Sequence, residues 1–143
     1  MQTFLPSKDF KESAKILDNK RLGKQRVEVY QILRAMTGKT KGWTNHPATK
    51  MWRGYQTSLA MYGWYMCEEW KYRGFNDTLT EKIVKFIDAH DLKRGQYDDP
   101  PWLGDPDFHA AHRSNLLRKD AKFYKKYKWK EPNDLPYVWP ETK

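Results

Sequence analysis

A single cysteine, Cys67, stands among 143 residues. One thiol allows neither an intramolecular disulfide framework nor a zinc-finger spacing, and it suits a reducing compartment. Long apolar runs are missing too. Nothing approaches the ~20 residues that cross a bilayer as a helix, and the opening Met-Gln-Thr-Phe-Leu-Pro has no apolar signal region. A cytoplasmic or nucleoid-associated chain that is not secreted and has no membrane partner is therefore expected. There is no glycine-rich phosphate loop, no nucleophilic serine elbow and no Cys–His motif. No internal repeat, low-complexity tract or convincing alternation of a β-strand is found, which leaves an all-α chain. Acidic residues are in deficit, with 18 Asp plus Glu against 27 Lys plus Arg and a net charge of +9. An excess of that size makes polyanions the expected partners.

What is present is aromatic and basic. Seven Trp and nine Tyr bring the aromatic content to 15%, enough both to build a core and to supply stacking surfaces. The run from Phe123 to Lys130 interleaves Phe123, Tyr124, Tyr127 and Trp129 with Lys125, Lys126, Lys128 and Lys130. Lysines attract phosphate without regard to sequence, and aromatic faces stack on unpaired bases at ~1–3 kcal/mol each. The same spacing also fits rings turned to the core beneath solvated lysines.

The length fits one domain that buries a core without staples. A first helix is expected from about Lys8, capped by Ser7, with Phe10, Ala14 and Leu17 inward. Asp18-Asn19 offers a new cap or a bend. From Lys20 to Met36 the spacing of Leu22, Val29, Leu33 and Met36 predicts an amphipathic helix ended by Gly38. Residues 37–47 read as a loop, Pro47 to Tyr72 as one helix, and Thr80 to His90 as another. Residues 95–108, rich in Pro and Asp, read as a long loop. A last helix runs from His109 into the aromatic–lysine run, and the tail from Pro132 to Pro140 holds three prolines that exclude regular helix. The expectation is a compact helical bundle of one domain, 1–143, with long loops and an extended proline-rich tail.

Arg26 falls on the apolar stripe of the second helix, where a charge needs a partner or a cleft. Lys20, Arg21 and Lys24 lie within two turns of it and suit phosphates. Gly23, inside the helix, costs ~1 kcal/mol against alanine and implies close approach by a DNA backbone or by the N-terminal segment. Asp18, Gln25 and Glu28 lie near Arg21, and either carboxylate could act as acid, base or electrostatic stabiliser, or simply pair with Arg21. His109, His112 and Arg113 form a second cluster at helical spacing, followed by Arg118 and Lys119. With no third ligand at suitable spacing, metal is not expected; phosphate contact or proton transfer fits better. His46 could join them in space. Cys67, amid Tyr65, Met66 and Trp70, reads as a buried small hydrophobe.

Three short motifs resemble the bacteriophage endonuclease V family, pyrimidine-dimer DNA glycosylases with AP-lyase activity. Arg26-Val27 lies at the same distance from the N-terminus as the family's active-site arginine. Tyr72-Arg73-Gly74-Phe75-Asn76 is similar to its basic-Arg-Gly-Phe-Asn segment. Lys122 to Tyr127 resembles its C-terminal aromatic–lysine stretch. The resemblance implies an all-α fold in which the N-terminal segment threads between helices. It also implies a terminal α-amine that forms a Schiff base at the sugar C1′, kinked DNA with a flipped base, and no cofactor. In this chain the amine would be that of Met1, because Gln2 is too bulky to permit removal of the initiator. The family's Glu, three residues before its Arg, is Gly23 here, leaving Asp18, Gln25 or Glu28 as substitutes.

The expected activity is thus glycosylase with AP-lyase chemistry on damaged double-stranded DNA, by a monomer. Met1 would be the nucleophile, Arg21 and Arg26 would position the sugar and phosphates, and Asp18 or Glu28 would stabilise the cationic sugar. His109, His112 and Arg113 would complete the cleft, with Tyr124, Tyr127 and Trp129 lining the strand. Two other readings stay open: a non-catalytic module that binds DNA, or RNA, and an enzyme for another modified base built on the His/Arg cluster.

Overall fold

The computed structural model describes residues 2–38, 42–90, 92 and 97–140. Among these there are seven α-helices and no strand: α1 (Phe10–Ile16), α2 (Asn19–Met36), α3 (Pro47–Trp52), α4 (Gln56–Tyr72), α5 (Leu79–Ala89), α6 (Pro106–Lys119) and α7 (Ala121–Tyr124). A single 3-10 turn, Lys125–Tyr127, follows α7. No described helix is long and apolar enough to cross a membrane.

Local chemistry explains the boundaries. Asp9, rather than Ser7, caps α1 by accepting from Glu12 N–H at 2.8 Å, while Ser7 Oγ accepts from Asp9 N–H. Asp18 caps α2. The single helix expected from Pro47 to Tyr72 is two: Arg53 is extended and Gly54 has φ +87°, a left-handed conformation open to glycine at no steric cost. The last helix begins earlier than expected, at Pro106, with Asp105 as its cap. It also ends before the aromatic–lysine run, because Asp120 leaves helical geometry and caps α7.

The longest helices, α2 and α4, cross most extensively, with α1 and α5 packed on α4. At their crossing Gly63 faces Val29; a Cβ there would lie 2.5 Å from Val29 Cγ1. Gly23 serves a similar purpose and corrects the expectation attached to it. Its neighbour is neither DNA nor the N-terminal segment but the Trp70 ring, 2.9 Å from where a Cβ would be. Large aromatics fill the centre, with Trp52 between Phe10, Tyr62 and Trp102.

The main organising feature is the N-terminal segment. Residues 2–6 are all buried, yet they pair with no strand, so helix side chains must satisfy their backbone. Phe4 N–H donates to Gln25 Oε1 at 2.8 Å, and Phe4 O accepts from Tyr62 OH at 2.7 Å. Leu5 N–H donates to His112 Nδ1 at 2.8 Å, and Leu5 O is 2.7 Å from His109 Nδ1. Thr3 Oγ1 accepts from Trp52 Nε1, and Pro6 O from Arg113.

The tail after Lys128 is non-helical up to Pro140 and returns across α6. Ser114 Oγ donates to Pro132 O and accepts from Leu135 N–H, and Asn115 Nδ2 donates to Leu135 O. That strap carries Tyr137 and Trp139 back over the N-terminal segment and His46.

Candidate functional site

A cavity of about 330 Å³ opens where the N-terminal segment, the start of α2, the end of α6 and the tail meet. Gln2, Phe4, Gln25, Glu28 and Tyr137 line it together with Lys20, Arg21, Lys24 and Lys119. Helical geometry puts Arg21, Gln25 and Glu28 on one face of α2, at offsets of three and four.

Glu28 is the one carboxylate among these lining groups, and it is 6% exposed. Its Oε2 accepts from the Gln2 backbone N–H and from Gln25 Nε2, each at 3.2 Å. Lys24 Nζ lies 3.9 Å from its other oxygen. Gln25 in turn accepts from Tyr62 OH and Phe4 N–H. The carboxylate is therefore held by a chain of hydrogen bonds leading from α4 to the beginning of the polypeptide. Burial lifts the Tyr62 phenol well above its ordinary range, with Glu28 adding to the effect, so it stays protonated and donates.

Around this carboxylate the charge is positive. Burial lowers the Lys119 ammonium pKa, and the nearby Arg21, Arg118 and Lys24 lower it further. Cations gathered this closely make a natural seat for phosphate. Lys20, Lys24, Arg118 and Lys119 are exposed; Arg21 is half-buried and paired with Asp18 at 3.3 Å.

Asp18 lies apart from Glu28 in function. It caps α2, pairs with Arg21 and accepts from Tyr124 OH. Its carboxylate thus ties α2 to α7 and leaves Glu28 as the acidic group facing the cavity. Arg26 does not line the cavity. It pairs with Asp77, whose side chain is fully buried, and its guanidinium stacks 4.5 Å from the Trp70 ring centroid. Burial pushes Asp77 upward, but hydrogen bonds from Thr80, Leu79 and Arg26 outweigh it and hold the carboxyl below its usual value.

The two histidines of α6 correct the expectation of DNA contact and proton transfer. His112 is fully buried, its Nδ1 accepts from Leu5, and burial next to His109 pushes its pKa down to about 3. His109 is 5% exposed and bonds Leu5 O through one nitrogen and Gly104 N–H through the other. His109 thus uses both ring nitrogens on the N-terminal segment and its neighbouring loop, and His112 uses Nδ1 there while its Nε2 is buried without a partner. Arg113 joins them there, held to Pro6 O and Glu131. His46 caps α3 with Nδ1 and packs between Trp43 and Trp139. Burial lowers its pKa, while the Glu28 charge acts in the opposite direction.

The aromatic–lysine run also differs from a stacking platform. Tyr124 is fully buried; Tyr127 and Trp129 are half-buried, and Trp129 stacks on both Tyr124 and Tyr127 at interplanar angles of 16°. Their faces are occupied, and Tyr127 OH donates to Ile16 O. Lys125, Lys128 and Lys130 stay exposed to meet phosphates, while Lys126, also exposed, lies over the Phe123 ring at 4.0 Å.

Met1 lies outside the described residues. The sequence reading missed Gln2, Phe4 and Tyr137 as site residues. Phe4 and Tyr137 looked like core or tail residues, and only Gln2's position beside the terminal amine could have drawn attention. A larger cavity, about 760 Å³, lies between α1 and α4 among Lys11, Trp64, Glu68 and Tyr72. It holds none of the groups that grip the N-terminal segment, so the smaller basic cavity is the better candidate. Among the described residues no three His, Cys, Asp or Glu side chains are grouped to hold a metal ion.

A family model described as pyrimidine dimer DNA glycosylase matches residues 1–82, more than half of the chain. The matched part runs from the N-terminal segment through α4 and supplies Gln25, Glu28 and Tyr62. Among curated proteins and among solved structures nothing matches.

Proposed function

Because the chain belongs to the pyrimidine dimer DNA glycosylase family, we propose that it excises damaged pyrimidines through its N-terminal amine and then cleaves the strand as an AP lyase. The observation that carries this reading is the hydrogen bond from Gln2 N–H to the buried Glu28, at the floor of a cation-rimmed cavity. The α-nitrogen of Met1 is three covalent bonds from the Gln2 amide nitrogen that donates to Glu28.

An α-amine has a pKa of ~7.7–8.0, so a useful fraction is a free base near neutral pH. It attacks C1′, and the new N–C1′ bond forms as the glycosidic bond breaks with its electron pair passing to the base. The amine sheds a proton, which Glu28 receives. The sugar ring then opens to the cationic imine as Glu28 returns that proton to O4′, which leaves as the hydroxyl, and Glu28 is again an anion. Loss of a C2′ proton expels the 3′-phosphate by β-elimination, and water releases the enzyme. Glu28, as an anion, also stabilises the cationic imine. Lys20, Arg21, Lys24 and Lys119 hold the phosphates flanking the damaged site on double-stranded DNA, which a monomer suffices to engage.

The test uses one duplex with a single cis-syn thymine dimer and one with an abasic site, each incubated with and without sodium borohydride. A covalent adduct on Met1 with reductant, and strand cleavage without it, is expected. Glu28→Gln should slow cleavage by about 10²-fold or more, whereas Asp18→Asn should act mainly on stability. Tight, salt-sensitive binding with neither adduct nor cleavage would sink the lyase reading and leave a DNA-binding module.

A further inference from the structure

One buried polar group in the cavity is not used by the chemistry above. Gln2 is 6% exposed and lines the cavity beside Glu28. Its Oε1 accepts from Thr3 N–H at 2.9 Å, which sets the orientation of the amide. The nitrogen, Nε2, is shielded from solvent and has no hydrogen-bond partner. A buried donor without an acceptor is destabilising, and such groups are few in native proteins. Two acceptors that share this network, Gln25 Oε1 and Glu28 Oε2, each already receive two donors.

We propose that the Gln2 side-chain amide is the donor that receives the departing base, through the C2 carbonyl oxygen of the pyrimidine whose C1′ is attacked. The inference rests on the amine reading. The attacking nitrogen and the Gln2 side chain belong to consecutive residues, so a sugar carbon within reach of the amine brings its base next to Gln2. The C2 carbonyl adjoins the ring nitrogen bonded to C1′. As that bond breaks, its electron pair enters the pyrimidine and negative charge spreads onto the carbonyl oxygen. A waiting donor then binds the leaving group more strongly than the intact nucleotide. The base takes up a proton from water as it departs, so no further reactant is needed. Phe4 and Tyr137, which also line the cavity, offer the base apolar surface.

Two variants test this, both with a bulky second residue so that Met1 is retained as in the parent chain. Gln2→Met keeps the length and removes the donor. Gln2→Glu keeps the acceptor for Thr3 N–H and places an anion where charge develops. Single-turnover glycosidic cleavage is read on the dimer duplex as free thymine after photoreversal. Borohydride trapping is read in parallel on the abasic duplex, which has no leaving base. Glycosidic cleavage should fall about tenfold in Gln2→Met and further in Gln2→Glu, while trapping on the abasic duplex stays within about twofold of the parent. Equal losses on both duplexes, or unchanged glycosidic cleavage, overturn the role of Gln2. A parent protein that traps on the abasic duplex but leaves the dimer intact overturns it too, with the amine reading still standing. A parent protein inert on both duplexes overturns the amine reading itself, and the role of Gln2 with it.

Discussion

Arg26 shows how one residue's surroundings decide its meaning. In an α2 face of mostly apolar side chains, a guanidinium is tolerable only if something offsets its desolvation. Asp77 does so as an ion pair, and the Trp70 face adds a cation–π contact. Asp77 also accepts from Leu79 and Thr80 N–H at the start of α5. Removing the carboxylate therefore strips a cap and leaves a charge 12% exposed without its partner. Asp77→Ala should cost about 3–5 kcal/mol of unfolding free energy. Asp77→Asn, which retains an acceptor for the cap, should cost less. Urea titration of the two variants checks the order, and an Asp77→Asn midpoint equal to the parent's would show that the ion pair contributes nothing.

Among the elements, the α2–α4 crossing depends on a missing side chain. Gly63 lets Val29 approach closely, and a Cβ at 2.5 Å from Val29 Cγ1 must displace a branched side chain with little rotamer freedom. Gly63→Ala should destabilise by about 1–3 kcal/mol through overpacking, only partly offset by the ~1 kcal/mol that alanine gains within a helix. Thermal melting reads it directly, and a raised melting temperature would contradict the close packing. The consequence reaches the site: α4 carries Tyr62 and α2 carries Gln25 and Glu28, so a shift between the helices pulls apart the hydrogen-bonded chain that ends at Gln2.

For the whole molecule, the buried N-terminal segment links folding to pH. His112 and His109 accept protons reluctantly in the folded state, chiefly because they are buried, and the first is held at about 3. In the unfolded chain a histidine takes up its proton near pH 6.5. Between those values the unfolded state binds more protons, so stability is complete above about pH 6.5 and is lost as pH falls, by up to ~1.4 kcal/mol per unit from His112, with His109 acting in the same direction. Urea midpoints measured at pH 7.5 and pH 5 should differ accordingly, and His112→Asn should flatten the dependence. A midpoint unchanged across that range in the parent protein would refute the account. Since those histidines grip Leu5, acid should also loosen the segment that carries the proposed nucleophile.

Much of this molecule was already determined by local sequence. Periodic apolar residues and caps such as Asp18 dictate helices, because those preferences act within a few residues of the chain. The net charge of +9 and the cations at positions 20, 21 and 24 point to a polyanion without any fold. Even the break between α3 and α4 could have been read from Gly54. What the sequence alone left open was which polar side chains face the N-terminal segment. His109, His112, Tyr124 and Arg26 carry chemistry that suits a DNA-binding cleft, and nothing local reveals that they bind Leu5, Asp18 and Asp77. Likewise Asp18 and Glu28 are both candidate carboxylates until tertiary packing sets Glu28 beside Gln2 and binds Asp18 to Tyr124. Helix formation is a matter of neighbours in sequence; satisfying a buried, unpaired backbone is a matter of neighbours in space, and only the packed structure names them.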